Sequence, residues 1–201
     1  MGHTRFRCLE AYLARLPKGL DSYPQCTAKA SLLGMALESA ELAEESSLPD
    51  ALRSVFAAPP PVSTWVPEVV FNAATVAAYD WAFGGKAVGA FEQRVCDFNL
   101  ALFRKPLYRI LYAFISPTRL AKESAKRWPA FHRGTSLRIV ELAEGKGVLE
   151  LEFPEHLFDP LVLRAFKSAW RASLLATGAE QVRSLLDDAT TSTARYVVRW
   201  L

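Results

Sequence analysis

The sequence predicts an α+β chain, an N-terminal helical bundle packed on a small C-terminal antiparallel sheet of strand-strand-helix-strand-strand order. Three observations carry that expectation. Apolar residues recur at steps of three and four through most of the first 130 positions, as one face of a helix requires. After Gly134 the period changes to two, which is the spacing of a half-buried strand. Glu144-Gly145-Lys146-Gly147 then joins two alternating stretches as a hairpin turn. We expect one domain over 1–201, with a helical part at 1–130 and a sheet part at 131–201.

Each element follows from its residues. Phe6, Leu9, Leu13 and Leu16 share a helical face that Pro17 and Gly19 end. A second helix places Ala30, Leu33, Leu37 and Ala40 on one side. Glu38, Glu41, Glu44 and Glu45 near its end oppose the macrodipole and favour fraying. Leu52, Val55 and Phe56 mark a short third helix, and the prolines Pro59 to Pro61 force extended chain. Ser63 or Thr64 is the expected cap of the next helix, which runs through Val66, Val70, Ala73, Ala77 and Trp81 and breaks at Gly84-Gly85. Val88, Phe91, Val95, Phe98 and Leu102 give the clearest three-four spacing. Pro106 starts or kinks a helix bearing Leu107, Ile110, Leu111 and Phe114, and Ser116-Pro117 opens another that ends near Trp128-Pro129.

In the last third, Thr135 to Leu142 reads as a strand, and the return strand turns Leu149, Leu151 and Phe153 one way. Asp159-Pro160 caps a long helix carrying Val162, Phe166, Ala169 and Trp170, closed by Gly178. Val182 to Leu186 and Arg195 to Leu201 complete the sheet, the latter with Tyr196, Val198 and Trp200 on one face.

Composition excludes several function classes. Hydrophobic residues make up 51% against 22% charged, a globular and not a disordered balance. The net charge is only +3, and Lys and Arg run from Arg5 to Arg199 without long basic blocks, so no nucleic-acid partner is expected. Cys8, Cys26 and Cys96 are an odd set without a CxxC pair, which argues for packed thiols over disulfides or zinc. Charges interrupt the N-terminal apolar pattern, and no apolar run is long enough to span a bilayer, so a cytoplasmic protein without a membrane span is expected.

Chemistry is thinly signposted. His3, His132 and His156 form no HExxH or HxH pattern, and no metal site is expected. A GxSxG elbow, a Walker loop and a GxGxxG turn are absent, and Gly84-Gly85-Lys86 joins two helices without a preceding strand. Asp80, Glu92 and Asp187-Asp188 read as solvated surface charges. A non-enzymatic protein is therefore expected. Trp65, Trp81, Trp128, Trp170 and Trp200 enrich the chain in aromatic surface, most of it core. A large apolar interior between helices and sheet is also where small-molecule pockets form. Phe98, Leu102, Tyr108, Leu111 and Trp128 are the pocket candidates, with His132 and Arg133 as polar contacts.

The junction Trp128-Pro129-Ala130-Phe131-His132-Arg133-Gly134-Thr135, together with Ala176-Thr177-Gly178-Ala179 and the terminal Arg199-Trp200, resembles a Myxococcales-restricted family of chains of similar length. That family is distantly similar to the haem-NO-binding, 4-vinyl reductase regulatory and TRAPP-component superfamily. The resemblance implies an α+β fold around an apolar cavity that holds haem in some members and small hydrophobic ligands in others, while the trafficking members are acylated dimeric scaffolds. It also sets requirements that this chain does not meet. A haem-binding member needs a proximal histidine on a helix ahead of the sheet, and no histidine lies between His3 and His132. It also needs a Tyr-x-Ser-x-Arg motif, whereas Tyr112, Ser116 and Arg119 are wrongly spaced. The metal-binding cysteine cluster of the 4-vinyl reductase type is missing, and no cofactor is expected. Cys96 is an acylation site only by analogy with the trafficking members.

The leading functional expectation is a sensor or regulatory module that binds a small apolar ligand between helices and sheet. The runner-up is a scaffold with a fully packed core that works as a homodimer or with a partner protein. An exposed apolar helix face at Leu107, Ile110 and Phe114 is the feature that favours it.

Overall fold

The chain runs through α1 (Arg7–Arg15), β1 (Thr27–Lys29), two 3-10 helical stretches (Ala30–Glu38 and Ala40–Glu44), α2 (Asp50–Ala57) and β2 (Trp65–Pro67). It continues through α3 (Glu68–Phe83), α4 (Val88–Phe103), α5 (Pro106–Ala113), α6 (Pro117–Arg127) and β3 (His132–Arg133). The hairpin β4 (Ser136–Ala143) and β5 (Lys146–Glu152), helix α7 (Pro160–Ala176) and the hairpin β6 (Arg183–Ala189) and β7 (Thr193–Arg199) complete it. This computed structural model describes residues 5–201, apart from the side chains of Leu107, Leu111 and Ala113; His3 and the side chains of Leu107 and Leu111 lie outside the described residues.

The C-terminal sheet has the expected α+β form. Its four strands are antiparallel in the order β4-β5-β7-β6, with Leu151 opposite Leu137 and Tyr196 opposite both Leu149 and Leu186. Alternation decides which face is covered. Leu149, Leu151 and Phe153 are buried, as are Ala194, Tyr196 and Val198, and α7 packs against β6 and β7. Tyr196 donates its hydroxyl to the Leu163 carbonyl, tying sheet to helix, and burial pushes its phenol pKa up. The Asp159 side chain accepts from the Leu161 amide, which is the cap that starts α7.

α7 also contacts α3 and α4, so it lies between the sheet and the helical layer. α3 is the axis of that layer. Every residue from Glu68 to Asp80 is buried, as expected of a helix covered on all sides. Its alanines, Ala73, Ala74, Ala77 and Ala78, let neighbouring elements approach closely.

Three features depart from the sequence expectations. The second helix is 3-10 rather than α: Ala30, Leu33 and Ala36 are buried in steps of three, while Leu37 is half-buried and Ala40 exposed. Its first amides bond the turn that precedes β2, Ala30 to the Thr64 carbonyl and Ser31 to the Val62 carbonyl. Gly34 lets the Phe98 ring approach closely there, since a Cβ would stand 3.1 Å from it. Next, neither Ser63 nor Thr64 caps α3. Residues 65–67 are extended and pair with β1, and the helix begins only at Glu68. Finally, a second sheet, β2-β1-β3, sets Ala28 opposite both Val66 and His132. Strands of two or three residues are too short for a periodic pattern to reveal.

Asp80 is also corrected. It is buried, and its Oδ2 accepts from the Cys8 and Leu9 amides at 2.9 and 3.0 Å, serving the N-terminus of α1 from a distant helix. Burial, then Asp80, pushes the Cys8 thiol up to about 12.

Candidate functional site

The small sheet assembles the most unusual group in the interior. β3 presents His132 beside the first residue of α3, and His132 Nδ1 lies 3.0 and 3.2 Å from the two carboxylate oxygens of Glu68. Glu68 is 0% and His132 3% exposed, so the pair is removed from water. Its backbone is equally fixed, with the Glu68 amide donating to the Cys26 carbonyl at 2.9 Å. Aromatic rings close around the imidazole. Trp128 stacks on it at 4.0 Å between centroids, while Phe166, Phe158 and Phe71 approach edge-on at 5.4, 6.4 and 6.1 Å. Trp128 anchors itself by donating Nε1–H to Thr135 Oγ1 at 2.9 Å.

Cys26 stands nearby, which raises the question of a Cys-His-Glu nucleophile. The geometry answers against it. Cys26 is fully buried, its thiol donates to the Gly134 carbonyl at 3.4 Å, and burial together with Glu68 pushes its pKa up to about 11. A nucleophilic cysteine needs a lowered pKa and access. Here the pair locks β3 to α3 inside the core.

Of the residues picked out in the sequence, Trp128 and His132 come together in this box. Arg133 is adjacent but turns outward, its guanidinium 3.8 Å over the Trp65 ring. Phe98 and Leu102 are half-buried on α4, where Phe98 faces Gly34. Tyr108 is on α5 with its ring edge-on to Phe103 at 6.2 Å, and the Leu111 side chain lies outside the described residues. Glu68 and Cys26 escape sequence reading. Nothing local marks a carboxylate whose partner is 64 residues away.

A second group lies on the surface. Tyr108, Ile110 and Phe114 are 37, 61 and 82% exposed along and just beyond α5. Arg104, Lys105, Arg109, Arg119 and Lys122, before, within and after α5 in the chain, are all exposed, and no acidic residue occurs between Asp97 and Glu123. Among the described residues, none of these five cations forms an ion pair. The sequence does contain this signal. It appears as a long acid-free interval, not as a contiguous basic block.

Among the described residues, no helix is long and apolar enough to cross a membrane. No protein-family model matches the chain, and no curated protein matches it in sequence. Solved structures do match in fold. An oxygen-binding H-NOX domain related to soluble guanylate cyclases superposes with a TM-score of 0.57 at 10% identity, over 86% of this chain and 94% of that one. A point mutant of the T. tengcongensis H-NOX gives 0.55 at 9% identity, over 86% and 97%. An unliganded Fe(II) H-NOX mutant from K. algicida gives 0.54 at 8%, over 86% and 96%. The chain therefore has an H-NOX-like α+β fold, at a sequence distance where only the fold is shared.

Proposed function

We propose that this chain is a non-enzymatic regulatory module that keeps the H-NOX-like architecture with a closed core and acts by docking an acidic protein partner on the α5 face. The exposed apolar and basic surface of Tyr108, Ile110, Phe114, Arg104, Lys105 and Arg109 is the observation that carries this reading. Its uniform positive charge disfavours a homodimer that pairs this face with itself, and favours a partner of opposite sign. The reading takes 1–201 as one unit, places the protein in the cytoplasm and keeps the Myxococcales-restricted family as its kin.

The residues present do not fit haem, the group named for the H-NOX family of the fold neighbours. His132 is committed to Glu68 and covered by Trp128. Gly134, Ser136 and Arg138 have the spacing of the Tyr-x-Ser-x-Arg motif, with glycine in the tyrosine's place. Gly134 has φ +76°, and a Cβ there would fall 2.7 Å from Cys26 Sγ and 2.9 Å from the Gln25 carbonyl, so no tyrosine fits. Arg138 is already paired with Glu150 and Glu152. The cavities between α4 and α7 and beside Tyr79 hold about 140 and about 10 Å³, against ~300–1,000 Å³ for sites that enclose drug-sized ligands.

A photo-crosslinking residue at position 110, introduced in the native cells, tests the docking reading. One defined protein adduct at 110, absent from a control at exposed Leu185, is expected. Adducts that are equal at both positions, or none at 110, would reject it. One observation favours a small, largely apolar ligand that carries one acceptor as a second reading: Trp170 Nε1 is buried without a partner among the described residues, and its ring stacks 6.5 Å from Trp128. Native mass spectrometry of protein from its own cells decides that case, since a co-purifying small molecule is required.

A further inference from the structure

The cavity between α4, α7 and β6 has a chemistry that neither the interior box nor the α5 face explains. Gly89, Glu92 and Gln93 line it from the start of α4; Lys167, Ser168 and Arg171 from α7; and Ser184 from β6. At about 140 Å³ it has room for a few waters or one small polar solute. Charge within it is unbalanced. Glu92 takes Lys167 at 2.7 Å and Arg164 at 3.3 Å, and Asp97, one turn along, accepts from Gln93. Arg171 is left with no carboxylate among the described residues. Its Nη1 reaches only the neutral thiol of Cys96, at 3.7 Å. Of the charged residues that line the cleft, Lys167 and Arg171 stand against Glu92 alone, which leaves it positive. Ser184 Oγ is buried there without a partner among the described residues. A buried hydroxyl and a guanidinium lacking its anion are the groups that an oxyanion satisfies.

We infer that this cleft binds a small oxyanion, a phosphate or a short carboxylate, between Arg171, Lys167 and Ser184. Arg171 supplies a planar pair of N–H donors, Lys167 a point charge and the Ser184 hydroxyl a third donor. Gly89 leaves the mouth open, since a Cβ there would meet nothing within 4 Å. The bound anion bridges α7 and β6 where both face the start of α4. The inference does not depend on docking at α5.

Thermal unfolding of the full chain, with sodium phosphate or sodium succinate titrated against sodium chloride at matched ionic strength, tests it. A saturable rise in Tm with an oxyanion, absent with chloride, is expected. The phosphate arm and the succinate arm tell which oxyanion the cleft prefers. Arg171→Met keeps the stem and removes the charge, and should weaken the apparent affinity about tenfold or more. Gly89→Leu fills the mouth without touching a donor and should abolish the response while the protein remains folded, and Ser184→Ala should reduce it. A Tm response that follows ionic strength alone, or one that Gly89→Leu and Arg171→Met leave unchanged, would overturn the assignment. If Arg171→Met does not fold, Gly89→Leu and Ser184→Ala decide alone.

Discussion

The His132 box and the α5 face both combine aromatic rings with ionisable side chains, yet they solve opposite problems. In the box Glu68, His132 and Trp128 each have a polar partner, and the Glu68 carboxylate faces the His132 imidazole in the dry interior. On α5 the apolar side chains Tyr108 and Ile110 face water, and the cations near them in the chain have no acid partner among the described residues. A matched interior pair is expensive to break, because removing one member strands the other. An unmatched surface is cheap to alter, because it contributes little to folding. The first arrangement therefore reads as architecture and the second as an unused binding surface.

The largest expected effect is on the box. Glu68→Ala leaves His132 buried without its partner and should cost about 3–5 kcal/mol in urea unfolding. Replacing both residues with leucine should cost less than the sum of the two single changes. Additive costs would show that the pair does not act as a unit. Trp128→Ala removes the stacked lid and should cost about 3–5 kcal/mol. If it instead weakened binding of a co-purified ligand more than it lowered stability, the box would be a pocket wall and the contrast with α5 would fail.

The α5 face should give the reverse pattern. Ile110→Ser with Phe114→Ser should shift stability by only about 0.5 kcal/mol or less, yet remove the adduct that a photo-crosslinking residue at neighbouring position 109 is expected to give. A large loss of stability would show the two side chains to be core. The last effect is confined to alkaline pH and concerns Cys26. Its thiol ionises near 9.0 when exposed and at about 11 in the fold. The folded pKa is the higher, so the stabilisation is complete below pH 9 and is lost as pH rises to 11. Cys26→Ala should flatten that segment of the stability profile, and a thiol reagent should reach Cys26 only on unfolding.

Legibility in the sequence follows the range of the interaction. The β4–β5 hairpin, the Asp159 cap of α7 and the alternation of β7 are all readable, because each depends on residues within a few positions. The 3-10 stretch is half readable: Ala30, Leu33 and Ala36 carry its period, but the same window also offers Leu37 and Ala40 to an α-helix. Asp80 reads as a surface charge because its partners, the amides of Cys8 and Leu9, sit more than 70 positions earlier. Trp128 and His132 stand out as neighbours in sequence, but Glu68, which gives His132 its role, does not.

What the sequence by itself determined is the set of elements and their order, since hydrophobic period, caps and turn glycines act over one or two turns. The H-NOX-like arrangement of those elements is shared with chains only about a tenth identical, so it rests on that patterning more than on particular side chains. Tertiary structure alone decided which charges are buried and paired, which are left facing an open cleft, and which apolar residues are left in water. The reason is physical: a carboxylate's environment is set by what packs against it, and the packing partners of Glu68 and Asp80 come from distant parts of the chain.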